Sequence, residues 1–477
     1  MTRDQLPRNL DLPLASLIQP DRGQAATLIH LVDKPRLDSF LAGGSAGARA
    51  QLAAAKFKAE PGTHAIIAEG ERVAIVAGVK DLGRLASWCL ARLAENLPAG
   101  TYRLALPAGI DARLAPALIG WMLGQYRFER YRAEASSEGA RILLTTEAKA
   151  IAPAAAEAEA VALVRDLVNT PAEDMGPAEL EAEIERLGRA HKAAVHVTRG
   201  EALEQDYPAV HMVGRAASRS HAPRLIELEW GDGAHPRVAI VGKGVCFDSG
   251  GLDIKPSSAM LLMKKDMGGA AHAIALARLV MEAGLKVRLH LLVPAVENAV
   301  AGNAFRPGDV LRSRAGLSIE VGNTDAEGRL ILADALARAG EARPDLILDF
   351  ATLTGAARVA LGPDLPALFT RTDATAQGLL EAGVAHDDPV WRLPLHDGYR
   401  EWLKSDIADL NNAPAGGFAG ASVAALFMDR FVPEGLDWAH FDTFAWRPSA
   451  KPGRPKGGDA LGLRAAWAYL RARYGQG

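Results

Sequence analysis

Short apolar runs that read as buried strands alternate with longer helix-like runs, and this alternation restricts the fold more than any other feature of the sequence. In the second half of the chain the strand-like runs include 238–241, 286–296 and 346–351. The helix-like runs between and after them include 269–282 and 326–342. Strands that alternate with helices predict a largely parallel sheet covered by helices on both faces.

A change of composition near residue 150 divides the chain. Before it, shorter strand-like runs alternate with helical stretches; these runs are 65–67, 73–76 and 102–106. An Ala-rich helical stretch, 154–168, then leads into the turn-like sequence NTPAEDMGP. Because 477 residues are more than one domain usually holds, we predict two. A smaller N-terminal α/β domain would span residues 1–152, and a larger C-terminal α/β domain with a mainly parallel sheet flanked by helices would span 153–477.

The composition excludes several classes of protein. The net charge of −3 gives no overall field that would attract nucleic acid or an anionic membrane. Two cysteines, Cys89 and Cys246, cannot build a disulfide framework or a cysteine-based zinc site. No apolar stretch reaches the roughly 20 residues that span a bilayer, and the first residues lack an apolar signal-like core. We therefore expect a cytoplasmic protein with neither a membrane nor a nucleic-acid partner.

Charged residues cluster in segments that follow strands or precede helices. In a parallel sheet the ligand site lies beyond the carboxyl ends of the strands, so these junctions are where chemistry is expected. Three segments stand out: GKGVCFDSGGLDIKP, MKKDMGG and GNTDAEGRLIL. Their candidate residues are Lys243, Asp248, Lys255, Asp266, Asp325, Glu327 and Arg329.

Each piece also has an ordinary structural interpretation. Thr324 and Glu327 fit a helix capping box, and Asp266 fits a helix N-terminus, where negative charge is favourable. Capping does not explain Arg329, because a cation near a helix N-terminus is unfavourable. If the four carboxylates converge, they repel one another and raise their own pKa values unless cations neutralise them. Two divalent ions would balance four negative charges, so the pattern indicates a two-metal hydrolytic centre.

Four segments together carry a resemblance to a known family: VGKGVCFDSGGLDIKP, MKKDMGGAA, NTDAEGRLILADAL and SDIADLNN. In their order and spacing, from about Asn169 to Trp446, they resemble the leucyl aminopeptidase (cytosol aminopeptidase) family. The resemblance implies a dinuclear metallopeptidase that releases the N-terminal residue of peptides by two-metal-activated water attack. It also implies that the larger C-terminal domain is the catalytic one.

The resemblance assigns metal-binding roles residue by residue. Asp248 and Glu327 would bridge two divalent ions, and Asp325 would complete one site. Lys243 and Asp266 would complete the other, which requires the Lys243 amine to be neutral. This oxygen-rich set with one nitrogen suits manganese or zinc first, with magnesium or cobalt as alternatives.

Two further residues would take part in catalysis. Lys255 would stay charged and stabilise the oxyanion that forms at the scissile carbonyl. Arg329 would bind a bicarbonate ion, which serves as the base for the attacking water in this family. That role gives the arginine an anionic partner at an otherwise unfavourable position.

The substrate pocket is less closely matched. Met263, Thr352, Gly355 and Ala356 correspond to positions that line the pocket for the first side chain, so an apolar residue such as leucine or methionine is expected. Two segments, NNAPAGGFAGAS and PGRPKGGDALGLR, depart from the family pattern, which leaves a dipeptide preference or a different first residue open. Cys246 is interpreted as a small buried residue and not as a nucleophile. The family's assembly predicts a homohexamer.

Three other functions remain as alternatives. Two-metal centres also serve phosphoesterases, although a lysine ligand and a single arginine favour a peptidase. Some relatives also bind DNA as architectural factors, which the balanced charge does not support. A catalytically inactive interaction protein would not need all seven key residues.

Overall fold

The structure is a computed structural model that describes residues 13–70, 72–107, 110, 113–134, 139–414 and 416–475. The chain forms two compact units. The first comprises the described parts of Met1–Ala162 with Ser449–Lys456, and the second the described parts of Leu163–Pro448 with Gly457–Gly477. The predicted boundary after residue 152 stays a prediction.

The first unit is built on a six-stranded sheet. Its strands are β1 (Ile18–Pro20), β2 (Thr27–Asp33), β3 (His64–Glu69), β4 (Arg72–Val79), β5 (Gly100–Ala105) and β6 (Arg141–Thr145). Its helices are α1 (Leu37–Gly43), α2 (Ala46–Ala54), α3 (Ala91–Asn96) and α4 (Ala115–Leu123). The next helix, α5 (Ile151–Asn169), contributes residues to both units. The strand order is β1-β6-β5-β2-β4-β3, and every pair is parallel except β3 with β4.

The second unit holds the remaining elements. Its strands are β7 (Ala194–Arg199), β8 (Arg224–Trp230), β9 (Arg237–Gly242), β10 (Gly244–Asp248), β11 (Arg288–Asn298), β12 (Val310–Arg312), β13 (Ser318–Glu320), β14 (Leu346–Ala351), β15 (Ala367–Thr370), β16 (Trp391–Arg392), β17 (Leu410–Asn411), β18 (Trp438–Asp442), β19 (Trp446–Arg447) and β20 (Gly457–Gly458). Its helices are α6 (Pro177–His191), α7 (Gly200–Asp206), α8 (Pro208–Gly214), α9 (Ser257–Met260), α10 (Gly268–Glu282), α11 (Glu327–Glu341), α12 (Gly355–Leu361), α13 (Asp373–Ala385), α14 (Gly420–Asp429) and α15 (Leu463–Tyr474).

A nine-stranded sheet forms the centre of the second unit, in the order β16-β15-β18-β14-β9-β11-β8-β7 with β10 beside β11. The central strands β18, β14, β9 and β11 are parallel, whereas β8 and β7 add an antiparallel edge. The three strand-like runs predicted in this half are found as β9, β11 and β14. The predicted α/β class with a mainly parallel sheet is thus confirmed.

One segment expected to be a loop is partly a strand. Gly244–Asp248 pairs with the far end of β11, where Gly244 lies opposite Ala295 and Asp248 opposite Asn298. β11 pairs with β9 only as far as Leu292, so its last residues offer a free backbone edge that the returning chain occupies. This pairing fixes Asp248 at the carboxyl end of the sheet.

Close packing brings the start of α10 against the same end of the sheet. A Cβ built on Gly269 would lie 2.1 Å from the carbonyl oxygen of Phe350, at the end of β14. A Cβ on Gly242 would lie 2.6 Å from Cα of Ala270. Only glycine allows this approach, and Asp266 lies in the 3₁₀ turn Met263–Met267 that leads into α10.

No helix in the part of the chain that the structure describes is long and apolar enough to cross a membrane.

Candidate metal centre and active-site cavity

Three carboxylates converge at the carboxyl end of the large sheet. Asp248 ends β10, Asp325 lies in the loop before α11, and Glu327 is the first residue of α11. Ligand oxygens of the three residues all lie within 4.8 Å of one another. Asp248 and Glu327 are almost fully buried. Three carboxylates at this spacing could hold a divalent cation, which prefers oxygen ligands.

Two lysines lie between the carboxylates. Lys243 Nζ is 2.8 Å from Asp266 Oδ2 and 2.9 Å from Glu327 Oε1, and it donates a hydrogen bond of 3.2 Å to the carbonyl of Thr352. Lys255 Nζ is 2.9 Å from Asp248 Oδ2 and also contacts Asp325. The seven residues singled out from the sequence include these two lysines and the four carboxylates, and the structure brings all six together.

The electrostatics of the cluster point to missing positive charge. Burial, with repulsion from Asp248, raises the pKa of Glu327 to about 8. The same two causes raise the pKa of Asp325 to about 6. Two lysines therefore do not neutralise the cluster, and a divalent cation would. The residues present fit a metal centre on this ground as well as by their donor atoms.

Lys243 is an ammonium in this arrangement. Burial lowers its pKa, but the nearby carboxylates of Asp266 and Glu327 outweigh burial, so the pKa of Lys243 is raised above its ordinary value. For Asp266, burial raises the pKa, and the opposite effect of Lys243 prevails and holds it at about 2. The amine of Lys243 becomes a ligand only if a metal ion displaces its proton.

The loop that carries Asp325 is held by polar residues that the sequence reasoning missed. Asn412 Oδ1 accepts hydrogen bonds from the backbone N–H groups of Gly322 (2.8 Å) and Asn323 (3.2 Å). Asn412 follows β17, which pairs in parallel with β13 just before this loop. The only signal in the sequence was the second asparagine of SDIADLNN.

The capping box that Thr324 and Glu327 fit in the sequence is not formed. The N-cap of α11 is Ala326, without a side-chain hydrogen bond. The Thr324 hydroxyl instead donates to the carbonyl of Gly250 at 2.6 Å, and the backbone N–H of Thr324 donates to Asp253 Oδ2 at 2.7 Å. Tertiary contacts to the glycine-rich segment therefore replace the local cap.

Further hydrogen bonds orient individual carboxylates. Asn298 Nδ2 donates to Asp248 Oδ1 at 2.8 Å, and the Thr352 hydroxyl donates to Asp266 Oδ1 at 2.8 Å. Side chains of this kind fix the orientation of metal-binding groups in other proteins. Asn298 was not singled out from the sequence, because its place depends on the pairing of β10 with β11.

Arg329 is a buried cation with spare hydrogen-bonding capacity. Its Nη1 donates to the carbonyl of Asn412 at 2.5 Å. Its buried Nε has no hydrogen-bond partner among the described residues. Burial lowers the pKa of Arg329 to about 10, so the guanidinium remains charged at neutral pH. An anion in the adjacent cavity would satisfy both the charge and the free N–H.

A cavity of about 720 Å³ opens over the cluster. The four residues predicted to line the substrate pocket all face it: Met263, Thr352, Gly355 and Ala356. Its wall also contains Lys265, Arg358 and Phe444, which the sequence reasoning did not single out. Cys246, interpreted as a small buried residue, is fully buried and does not line this cavity.

Comparisons with known proteins identify the family to which the chain belongs. The model of the cytosol aminopeptidase family, catalytic domain, matches residues 162–466, and that of the M17 aminopeptidase, N-terminal domain, matches residues 28–145. A probable cytosol aminopeptidase of Roseiflexus castenholzii is 40% identical over 369 residues, which cover 74% of this chain and 75% of that protein. Peptidase B of Pectobacterium carotovorum is 45% identical over 312 residues, 63% of this chain and 71% of that protein.

Solved structures show the same likeness. The crystal structure of a cytosol aminopeptidase from Coxiella burnetii has a TM-score of 0.91 at 45% identity, covering 96% of this chain and 99% of that one. The bottromycin maturation enzyme BotP, in complex with Mn, has a TM-score of 0.85 at 35% identity, covering 94% of this chain and 100% of that one. The chain belongs to the cytosol aminopeptidase family of metal-dependent peptidases.

Proposed function

We propose that the converging carboxylates hold two divalent ions and that the cavity above them is the aminopeptidase active site. The residues that would hold the ions are Asp248, Asp325 and Glu327, together with Lys243 and Asp266. The observation that carries this proposal is the convergence of Asp248, Asp325 and Glu327 within 4.8 Å. When bound, two such ions supply Lewis acidity for the scissile carbonyl and lower the pKa of water.

The chain's own residues would perform the remaining tasks. The Asp266 end of the cavity binds the substrate's α-amine, which restricts cleavage to the first residue. Lys255 stabilises the negative charge that develops on the carbonyl oxygen. Arg329 would hold a bicarbonate ion, which would supply a general base for the attacking water. The positive charge of Arg329 and its free Nε–H support this role.

The identity of the ions follows from ligand chemistry. Four carboxylates with one amine suit manganese or zinc, and magnesium or cobalt are compatible. The Mn complex of the structural neighbour BotP supports manganese as the first ion to test. We further propose that the protein acts on peptides in the cytoplasm and assembles as a homohexamer, as the family resemblance implies.

The cavity walls suit a long first side chain. Leu262, Met263 and Ala356 supply apolar surface, which supports the expected preference for residues such as leucine or methionine. The same cavity also contains positive charge from Lys265 and Arg358.

The test is hydrolysis of leucine p-nitroanilide and of the dipeptide Leu-Gly after loading with manganese or zinc. We expect metal-dependent release that falls by roughly 100-fold or more in Lys255→Ala, because an oxyanion-stabilising group is lost. Lys404→Ala removes a solvent-exposed lysine and serves as the control. Cleavage of p-nitrophenyl phosphate with no peptide hydrolysis would instead support a phosphoesterase.

A further inference from the structure

Lys265 is a buried lysine that shares its nearest carboxylate, Asp266, with Lys243, and burial lowers its pKa. Its side chain is nearly inaccessible, at 6% relative exposure for the residue, yet it lines the active-site cavity. Its Nζ lies 3.6 Å from Asp266 Oδ1, beyond hydrogen-bond distance. Asp266 is already engaged by Lys243 at 2.8 Å and by the Thr352 hydroxyl at 2.8 Å. A buried ammonium is costly unless an anion pairs with it.

Arg358 is a second positively charged residue that lines the cavity close to Lys265. Its guanidinium carbon lies 4.8 Å from the centre of the Phe444 ring, and Lys265 Nζ lies 5.4 Å from that centre. Among the described residues, no carboxylate lies within 4 Å of the Arg358 guanidinium. The aromatic ring stabilises each cation, but it does not cancel the repulsion between two like charges.

Lys265 and Arg358 lie where the side chain of the substrate's first residue is proposed to bind. Lys265 directly precedes Asp266, beside which the α-amine of the substrate is proposed to bind. The apolar residues Met263 and Ala356 line the same cavity. Met263 lies two residues before Lys265, and Ala356 lies two residues before Arg358. A side chain with an apolar stem and an anionic end matches such a surface.

We propose that Lys265 and Arg358 bind the side-chain carboxylate of an acidic first residue, so that the enzyme prefers glutamate or aspartate over their neutral amides. This inference rests on the proposed aminopeptidase function. Paired lysine and arginine recognise a carboxylate through charge-assisted hydrogen bonds. A carboxylate also occurs at the free C-terminus of a dipeptide, and the substrates below separate the two sources.

The experiment compares glutamate and glutamine p-nitroanilides, which have the same shape and no C-terminal carboxylate. We expect kcat/KM for the glutamate substrate to exceed that for the glutamine substrate by about tenfold or more, as charged hydrogen bonds predict. Lys265→Met and Arg358→Gln should each reduce this ratio towards one. Arg358 is exposed, so its replacement leaves the core intact.

Lys264→Met is the matched control. Lys264 is the neighbouring lysine, but its Nζ donates to the carbonyl of Asn169 at 2.5 Å and does not line the cavity. Its replacement should leave the Glu/Gln ratio unchanged. A different result would show that Lys265 and Arg358 bind the C-terminus of a dipeptide. In that case the glutamate and glutamine anilides would react at equal rates, and the enzyme would prefer Leu-Gly over Leu-Gly-amide only while Lys265 is present. The inference would then be wrong.

Calorimetry of L-glutamate and L-glutamine binding to the manganese-loaded protein tests the carboxylate site separately from the aminopeptidase function. Equal affinities would overturn the carboxylate site. Tighter binding of glutamate without any anilide hydrolysis would support the site and count against the aminopeptidase function. Hydrolysis of leucine p-nitroanilide with equal rates for the glutamate and glutamine substrates would leave the function standing and refute the inference.

Discussion

Gly328 and Lys243 are packed so closely that a Cβ built on Gly328 would lie 2.6 Å from the lysine Nζ and 2.5 Å from its Cε. The glycine therefore leaves the space through which the lysine reaches the carboxylates. A side chain at this position would push the amine away from Asp266 and Glu327, which it now contacts at 2.8 Å and 2.9 Å.

We expect Gly328→Ala to weaken manganese binding by about 10–100-fold, the range found when metal ligands are displaced or misoriented. Isothermal titration calorimetry measures the affinity, and circular dichroism checks the fold. Gly302→Ala is the control, since a Cβ on Gly302 meets nothing within 4 Å. Wild-type affinity in Gly328→Ala would show that Lys243 is not a ligand.

The raised pKa of Glu327 predicts how the metal-free protein responds to pH. Its pKa of about 8 in the folded state lies above the ordinary value of 4.5. Between these values the folded state keeps a proton that the unfolded state has released. Glu327 therefore makes the free energy of unfolding decrease as the pH rises from about 4.5 to about 8.

Chelator-treated protein should thus lose thermal stability over this pH range, and Glu327→Gln should lose less. The comparison between the two proteins isolates Glu327 from other titrating groups. Excess manganese should reduce the difference in wild type, because a bound cation stabilises the deprotonated carboxylate. Identical pH profiles for both metal-free proteins would contradict this electrostatic description.

Arg329 should make activity depend on bicarbonate. We expect bicarbonate to stimulate peptide hydrolysis by the wild type and to have no effect on Arg329→Ala. A lost general base typically costs about 100-fold or more, so the variant should be impaired to that extent. Manganese affinity, measured separately, should change little. A variant that still responds to bicarbonate would place the anion elsewhere.

Thr352 should act by positioning Asp266. Thr352→Val keeps the shape of the side chain and removes the hydroxyl that donates to Asp266 Oδ1. We expect manganese affinity to fall by about tenfold. Thr375→Val is a matched control, since Thr375 is also buried and its hydroxyl donates to Asp437 at 2.7 Å, outside the cavity. Equal affinities in both variants would argue against the role of Thr352.

The parts of the fold that local pattern controls were predictable. The run 346–351 coincides with β14, and the run 269–282 differs from α10 by one residue, because apolar segments bounded by glycine or charge define their own ends. The convergence of the carboxylates also followed from their place at strand ends, helped by the family resemblance.

The remaining features of the site depend on tertiary contacts, which the local sequence does not reveal. Thr324 looked like a helix cap, but it hydrogen-bonds with the glycine-rich segment around Gly250. Lys265 was not singled out from the sequence, and only packing shows that it is buried while its neighbour Lys264 is half-buried. Local sequence does not distinguish such neighbours, since both follow the same apolar residues.

The bond between Asn412 and the Asp325 loop joins residues about 90 positions apart in the chain. Closing so long a span is slow compared with forming local structure. On the ribosome, Asp248, Asp325 and Glu327 all emerge well before the asparagine that fixes their loop. We therefore expect the carboxylates to reach their final geometry only once the chain extends past Asn412.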